Sequence, residues 1–283
     1  MRILYRGSLD SCNYACAYCP FAKRDATREA HERDRREVSR FVEHVRRDQT
    51  ITGIFFTPWG EALTHRWYQR AIAQLSQLEN VEKVAIQTNL SVRPAWLDDA
   101  RAQRVGIWAT FHPTQIERGA FVRRALDYHG RGVSISVGIV GLPEQLDHAR
   151  ALRAELPSEI YVWVNAAKTT HGVYDPELKQ AFESVDPLFA INAQYHPSLG
   201  RACDAGHTVI SVDGEGNARR CHFVEERIGN LYDGTLALKP RTCPNETCGC
   251  HIGYVHMPHL ALQPRFGRGL LERALPIYSQ NGS

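Results

Sequence analysis

The residues best suited to chemistry in this 283-residue chain are its eight cysteines, which fall into two groups. Cys12, Cys16 and Cys19 are spaced C-x3-C-x2-C, just after an apolar run, Ile3-Leu4-Tyr5, that predicts a first strand. None follows until Cys203, and then Cys203, Cys221, Cys243, Cys248 and Cys250 come close together. Three thiolates in one loop can hold three corners of a four-iron cluster and leave one iron without a protein ligand. An open coordination position is a catalytic arrangement, because a small molecule can complete it. A zinc knuckle lacking its fourth ligand is the other reading of the spacing.

Composition narrows the field. A hydrophobic content of 43% and a charged content of 23% are those of an ordinary soluble globular protein. The length suits one large α/β domain with a smaller appendage. A net charge of +3 calls for no nucleic acid and no membrane partner. The basic stretch from Lys23 to Arg47 also holds Asp25, Glu29, Glu32, Asp34, Glu37 and Glu43, which predicts a solvated, salt-bridged helix face. No long apolar run exists, and Arg2, Arg6 and Asp10 interrupt any signal-peptide pattern. A cytoplasmic location is therefore expected, where cysteines serve as cluster or metal ligands rather than disulfides.

Stepping through the chain, β-branched runs alternate with amphipathic segments, the pattern of repeated βα units on a parallel sheet. Strands are predicted at Arg2–Arg6, Gly53–Phe56, Lys83–Gln87, Val105–Thr110, Val133–Val140 and Ile160–Val164. Helices are predicted at Ala30–Arg47, Arg66–Gln77, Pro94–Ala102, Ile116–His129, Glu144–Leu156 and Pro176–Val185. An open sheet and a partial barrel fit this periodicity equally.

With Tyr18 beside its last cysteine and its place after the first strand, the cysteine triplet resembles the signature C-x3-C-x-aromatic-C of the radical S-adenosylmethionine (SAM) superfamily. The resemblance implies an α/β fold with a partial (β/α)6 TIM-type barrel over residues 1–199. It also implies a [4Fe-4S] cluster on Cys12, Cys16 and Cys19, with SAM completing the open iron. Chemistry in such barrels collects at the C-terminal ends of the strands. After the second strand, Gly60 and Glu61 match part of the family's Gly-Gly-Glu-Pro segment, which holds the SAM amino group; Trp59 and Ala62 depart from it. Thr88 and Asn89 after the third strand, and Thr110 and His112 after the fourth, resemble positions that contact the SAM carboxylate and ribose. Capping and loop hydrogen bonds are the ordinary use of Thr and Asn. On the fifth strand Ile139, Gly141 and Glu144 fit the family's adenine-side segment, with Ile139 expected against the adenine. Lys168 ends the sixth strand, where a lysine meets either an anionic substrate or solvent.

The second group follows a different plan. Asp213-Gly214 between two β-rich runs predicts a hairpin, with Cys203 before its first strand and Cys221 on its second. The hairpin, the G-x4-C spacing of Gly216 and Cys221, and Cys243, Cys248 and Cys250 resemble the SPASM/Twitch extensions of radical SAM enzymes. That implies a small hairpin-containing, Cys-rich domain over residues 200–258 with one auxiliary [4Fe-4S] cluster. Its expected ligands are Cys203, Cys221, Cys243 and one of Cys248 or Cys250; four thiolates at this spacing are also a structural zinc site. His251 and His256 are expected as packed, hydrogen-bonded surface residues, with metal ligation or substrate contact as the other reading. Residues 259–283 form an extension that folds back across the barrel or the auxiliary domain, with a frayed tail from Ser279 to Ser283.

The resemblance implies reductive cleavage of SAM to a 5′-deoxyadenosyl radical that abstracts a substrate hydrogen. A donor such as flavodoxin or ferredoxin would supply the electron. An auxiliary cluster favours oxidation of the substrate. A first strand at residue 2 leaves no room for a leader-binding domain ahead of it, which favours a small metabolite over a ribosomally made peptide delivered by a partner. A zinc-binding adaptor and an electron-transfer protein are the alternatives from other classes.

Overall fold

A computed structural model describes residues 1–21, 25–168 and 172–276. Six strands lie side by side in chain order and in parallel: β1 (Arg2–Tyr5), β2 (Gly53–Phe56), β3 (Lys83–Thr88), β4 (Val105–Phe111), β5 (Ser134–Gly141) and β6 (Tyr161–Ala166). Helices α1 (Arg28–Arg47), α2 (Arg66–Gln77), α3 (Arg118–Gly130) and α4 (Leu146–Glu155) connect them. The fold is α/β, as its alternating pattern predicts. Helix α1 starts where the Thr27 side chain accepts the Ala30 N–H, and it buries Val38, Phe41, Val42 and Val45 at helical spacing. Its outer face carries the Arg28–Glu32 and Arg47–Glu43 pairs expected of its charge pattern.

The segment after β3 departs from expectation. Pro94–Asp99 is a 3-10 helix that ends before Ala102, closed by an Ala100 N–H to Leu97 carbonyl bond. Asp98 and Asp99 put negative charge at the end where a helix already presents bare carbonyls, which disfavours extending it.

Each strand splits its side chains between two cores, because successive residues point to opposite faces. Ile54, Phe56, Ile107 and Ile139 pack against the helices. Leu4, Phe55, Ala85, Trp108, Tyr161 and Trp163 form the inner face. The C-terminal segment closes over that inner face, filling it with Tyr254, Phe266, Leu270 and Leu271. At its end Glu272 is buried beside Lys83, 3.2 Å away at the start of β3, and its carbonyl accepts the Ser136 hydroxyl. The inner face is therefore plugged at the N-terminal ends of the strands, in a partial barrel whose opposite end carries the loops. The tail from Ser279 lies outside the described residues.

The cysteine-rich segment is built onto the same sheet. Strands β7 (His196–Pro197) and β8 (Ala202–Cys203) precede β9 (Val209–Val212), which pairs in parallel with β1. Strands β10 (Asn217–Arg219) and β11 (Arg227–Asn230) continue antiparallel to give nine strands in the order β11-β10-β9-β1-β2-β3-β4-β5-β6. The hairpin thus extends the barrel sheet rather than standing apart from it. Its second strand ends at Arg219, so Cys221 lies just beyond the strand on which it was expected. Short strands β12 (Arg241–Thr242) and β13 (Thr247–Cys248) pair with β8 and β7.

Candidate active site

Cys12, Cys16 and Cys19 occupy the loop after β1, and residues from the ends of the next three strands fasten it down. From β2, Gly60 passes so close that an added Cβ would lie 1.8 Å from the Ser11 carbonyl oxygen. Only glycine fits there, and the Glu61 N–H then reaches the same carbonyl at 3.0 Å. From β3, the Asn89 side-chain amide donates to Asn13 Oδ1 at 2.9 Å and faces Cys12 Sγ at 3.8 Å. From the loop after β4, Gln115 accepts the Ala15 N–H at 3.0 Å, and His112 Nδ1 lies 2.9 Å from the Tyr18 hydroxyl. After β5, Gln145 lies close enough to Tyr18 to bear on its hydroxyl. The cysteine loop is a lid tied to β2, β3 and β4.

Glu61 holds two of these ties in register. It is fully buried, and one carboxylate oxygen accepts from Leu63 N–H at 3.1 Å and Thr88 Oγ1 at 2.8 Å. The other accepts the Asn89 N–H at 2.5 Å. Burial pushes its carboxyl up to about 7 despite those three donors. Burial drives His112 the other way, down to about 4, so the ring that meets the Tyr18 hydroxyl is neutral near pH 7.

The thiols are arranged as charge-bearing ligands are. Backbone N–H groups two residues on point at Cys12 Sγ and Cys19 Sγ, from Tyr14 and Phe21, both at 3.4 Å. Such bonds stabilise negative sulfur and tune cluster potentials. Burial, then the nearby Glu61 and the other two cysteines, raises the Cys12 thiol. A charge-neutralising metal group is what would offset that. Among the described residues, no three His, Cys, Asp or Glu side chains are set as ligands of a single metal ion.

Below the lid, the inner face changes character one residue above the apolar layer. Leu4, Ala85, Trp108 and Trp163 are followed two positions on by Arg6, Gln87, Thr110 and Asn165. Asn165 is exposed although it lies within β6, so this upper layer lines an open mouth. Thr110 is where the sequence placed a site residue. Two others are not. The Ile139 side chain is fully buried in the helix-side core, because it alternates with Gly138, whose missing Cβ makes room for the Trp163 ring. Thr88 falls on the helix side too, its hydroxyl committed to Glu61 and the Leu90 N–H. Sequence reasoning missed Arg6, Asn13, Gln115 and Gln145; counting two residues past the last inner apolar residue finds Arg6, but nothing local marks the others.

In the second group, burial raises the Cys203 and Cys221 thiols, with the backbone at Ala205 and at Phe223 opposing it. Cys248 is pushed up to about 12 by burial first, then by Cys221, Cys250, Cys243 and Cys203 around it. Cys250 is open to solvent. The positive charges that act on it are those of Arg273, Lys168 and Arg6. His251 and His256 are not surface residues. Both are buried, His251 among Trp108, Tyr254 and Phe266, and neither His256 ring nitrogen has a hydrogen-bond partner among the described residues.

Comparison with known proteins bears on this geometry. Residues 8–108, from the cysteine loop to Trp108, match the Radical SAM superfamily family model. No curated protein matches the sequence. The fold is similar to "Native anSMEcpe with bound AdoMet", at 13% identity and a TM-score of 0.55 over 83% of this chain and 78% of that one. It is also similar to "Native anSMEcpe with bound AdoMet and Kp18Cys peptide", at 12% identity and a TM-score of 0.54 over 83% and 78% of the two chains. At these identities the likeness is one of fold.

Proposed function

We propose that this chain is a radical SAM enzyme that oxidatively modifies a small metabolite. The observation that carries the proposal is the C-x3-C-x2-C loop tied across the ends of β2 to β4, within the segment that matches the Radical SAM family model. The residues fit the group: three soft thiolates with N–H donors on two of them, and an amide from Asn89 facing Cys12. Cys12, Cys16 and Cys19 would hold a [4Fe-4S] cluster; when bound, it supplies the electron that splits SAM and releases the 5′-deoxyadenosyl radical. The protein's part is placement. Gly60 admits the loop, Glu61 fixes Thr88 and Asn89, and neutral His112 holds Tyr18 with the lid. Gln87, Thr110 and Asn165 offer hydrogen bonds to whatever enters the mouth, while the plug beneath keeps water out.

Cys203, Cys221, Cys243 and Cys248 are the ligands proposed for one auxiliary [4Fe-4S] cluster, because Cys221, Cys243 and Cys203 all act on Cys248, whereas the charges acting on Cys250 are Arg273, Lys168 and Arg6. Cys250 then stays free of the cluster. A donor such as flavodoxin or ferredoxin would reduce the first cluster. A peptide substrate is the second reading, favoured by the peptide-bound structure of similar fold.

Iron and sulfide content after anaerobic reconstitution tests the cluster assignment. Two clusters predict about eight irons, falling to about four when Cys12, Cys16 and Cys19 are all changed to Ala. Zinc in place of iron at both sites would overturn the proposal.

A further inference from the structure

Two cations, one just past β1 and one just past β6, have no carboxylate partner among the described residues. Arg6 is on the inner side of β1, one layer above Leu4, and its guanidinium lies over the Trp59 ring at 4.2 Å. Lys168 follows β6, over the Tyr195 ring at 5.5 Å, and its ammonium donates to the Asn192 carbonyl. Trp59 and Tyr195 are 42% and 53% exposed, so each cation sits on an aromatic wall that opens to solvent. Among the described residues, neither cation is within ion-pair distance of a carboxylate, and the Arg6 guanidinium donates to no protein acceptor. Cys250 lies within electrostatic reach of both.

Partly desolvated cations without partners are costly, and the cost is recovered when an anion arrives. The forked donors of arginine match the oxygens of a carboxylate or phosphate, and a lysine adds a point charge. The rigid rings beneath hold both heads in place. Thr110 on β4 and Asn165 on β6 supply neutral hydrogen-bonding groups in the layer of Arg6.

We propose that Arg6 and Lys168 form an oxyanion site at the barrel mouth, so that the substrate carries a carboxylate or phosphate group. This rests on the radical SAM reading, and it adds the substrate class. Arg6 and Lys168 are binding residues here, and the hydrogen to be abstracted lies elsewhere on the substrate.

The test is isothermal titration of the anaerobically reconstituted full chain, saturated with SAM, with inorganic phosphate and separately with acetate. One of the two should bind saturably in the millimolar range; preference for phosphate marks a phosphorylated substrate, and preference for acetate a carboxylic acid. R6Q and K168M should each weaken that binding about tenfold or more, and K168R, which keeps the charge, should weaken it less. Iron content equal to wild type verifies that the variants fold. Absence of saturable binding, or variants that bind like wild type, would overturn the site. So would variants that shift only the auxiliary cluster's midpoint potential, which would put both cations in the service of the thiolates. Production of 5′-deoxyadenosine by the wild type, measured in parallel, reports on the radical SAM reading alone: cleavage without oxyanion binding removes the site and leaves the enzyme.

Discussion

The Tyr18 hydroxyl, inside the cysteine triplet, lies 2.9 Å from Nδ1 of His112 at the end of β4, with the two rings near parallel. This contact joins residues 94 positions apart and fixes the aromatic of the cysteine loop to the barrel. Tyr14 approaches the same imidazole edge-on, 6.0 Å between ring centres. His112 is thus clasped by both tyrosines of the loop.

The contact should be measurable as a coupling. Y18F removes the hydroxyl, and H112A removes the ring that it meets in a part-buried site. A double-mutant cycle on thermal unfolding should give a coupling on the order of 1 kcal/mol. Additive effects would show that the contact contributes nothing to the lid.

Gly60 and Gly138 make a paired prediction. G60A drives a Cβ into the Ser11 backbone, which cannot yield without moving the cysteines. G138A drives one into the Trp163 ring at 2.2 Å, far from the lid. Each should destabilise by about 3 kcal/mol, as overpacking does. Only G60A should lower iron bound by the first cysteine group. Equal iron loss in both would mean the lid answers to general stability.

The second cysteine group separates by iron count. C248S should lose about four irons on reconstitution, and C250S should retain them. The reverse result would place Cys250 in the cluster.

The strand positions were legible in the sequence because β-branched runs there are bounded by turn residues, and Gly53–Phe56 and Arg66–Gln77 fall where periodicity puts them. The face each residue takes was less legible. Ile139 and Thr88 matched motif positions, yet alternation along β5 and β3 turns both toward the helices. The pairing of β9 with β1 joins residues about two hundred positions apart, and no local pattern encodes it. The ties from Asn89 and Gln115 to the cysteine loop are likewise long-range, made by residue types common in any loop. His256 was misjudged because a polar side chain near a chain end reads as exposed, whereas the plug carries it inside.

Histidines whose surroundings disfavour the charged ring set the acid limit of the apo-protein, half-buried His65 and buried His256 among them. Burial, with His31 alongside, lowers His65 to about 4, and burial with Arg2 alongside lowers His256 to about 3. Both folded values lie below the unfolded value near 6.5, so the unfolded state takes up protons first. Their contribution is present in full above about pH 6.5 and is lost as pH falls toward 4 and 3. H256L should therefore reduce the drop in melting temperature between pH 7 and pH 5 while leaving the value at pH 7 equal or higher, since no partner is lost. A sharp loss at pH 7 would reveal a partner for the ring.

The central claim is that the tied cysteine loop cleaves SAM. The direct measurement is 5′-deoxyadenosine formed after dithionite reduction of the reconstituted wild-type protein with SAM, beside the variant with Cys12, Cys16 and Cys19 changed to Ala. The account predicts 5′-deoxyadenosine and methionine from the wild type and none from the variant. A wild type carrying its full iron content that reduces yet leaves SAM intact would contradict it.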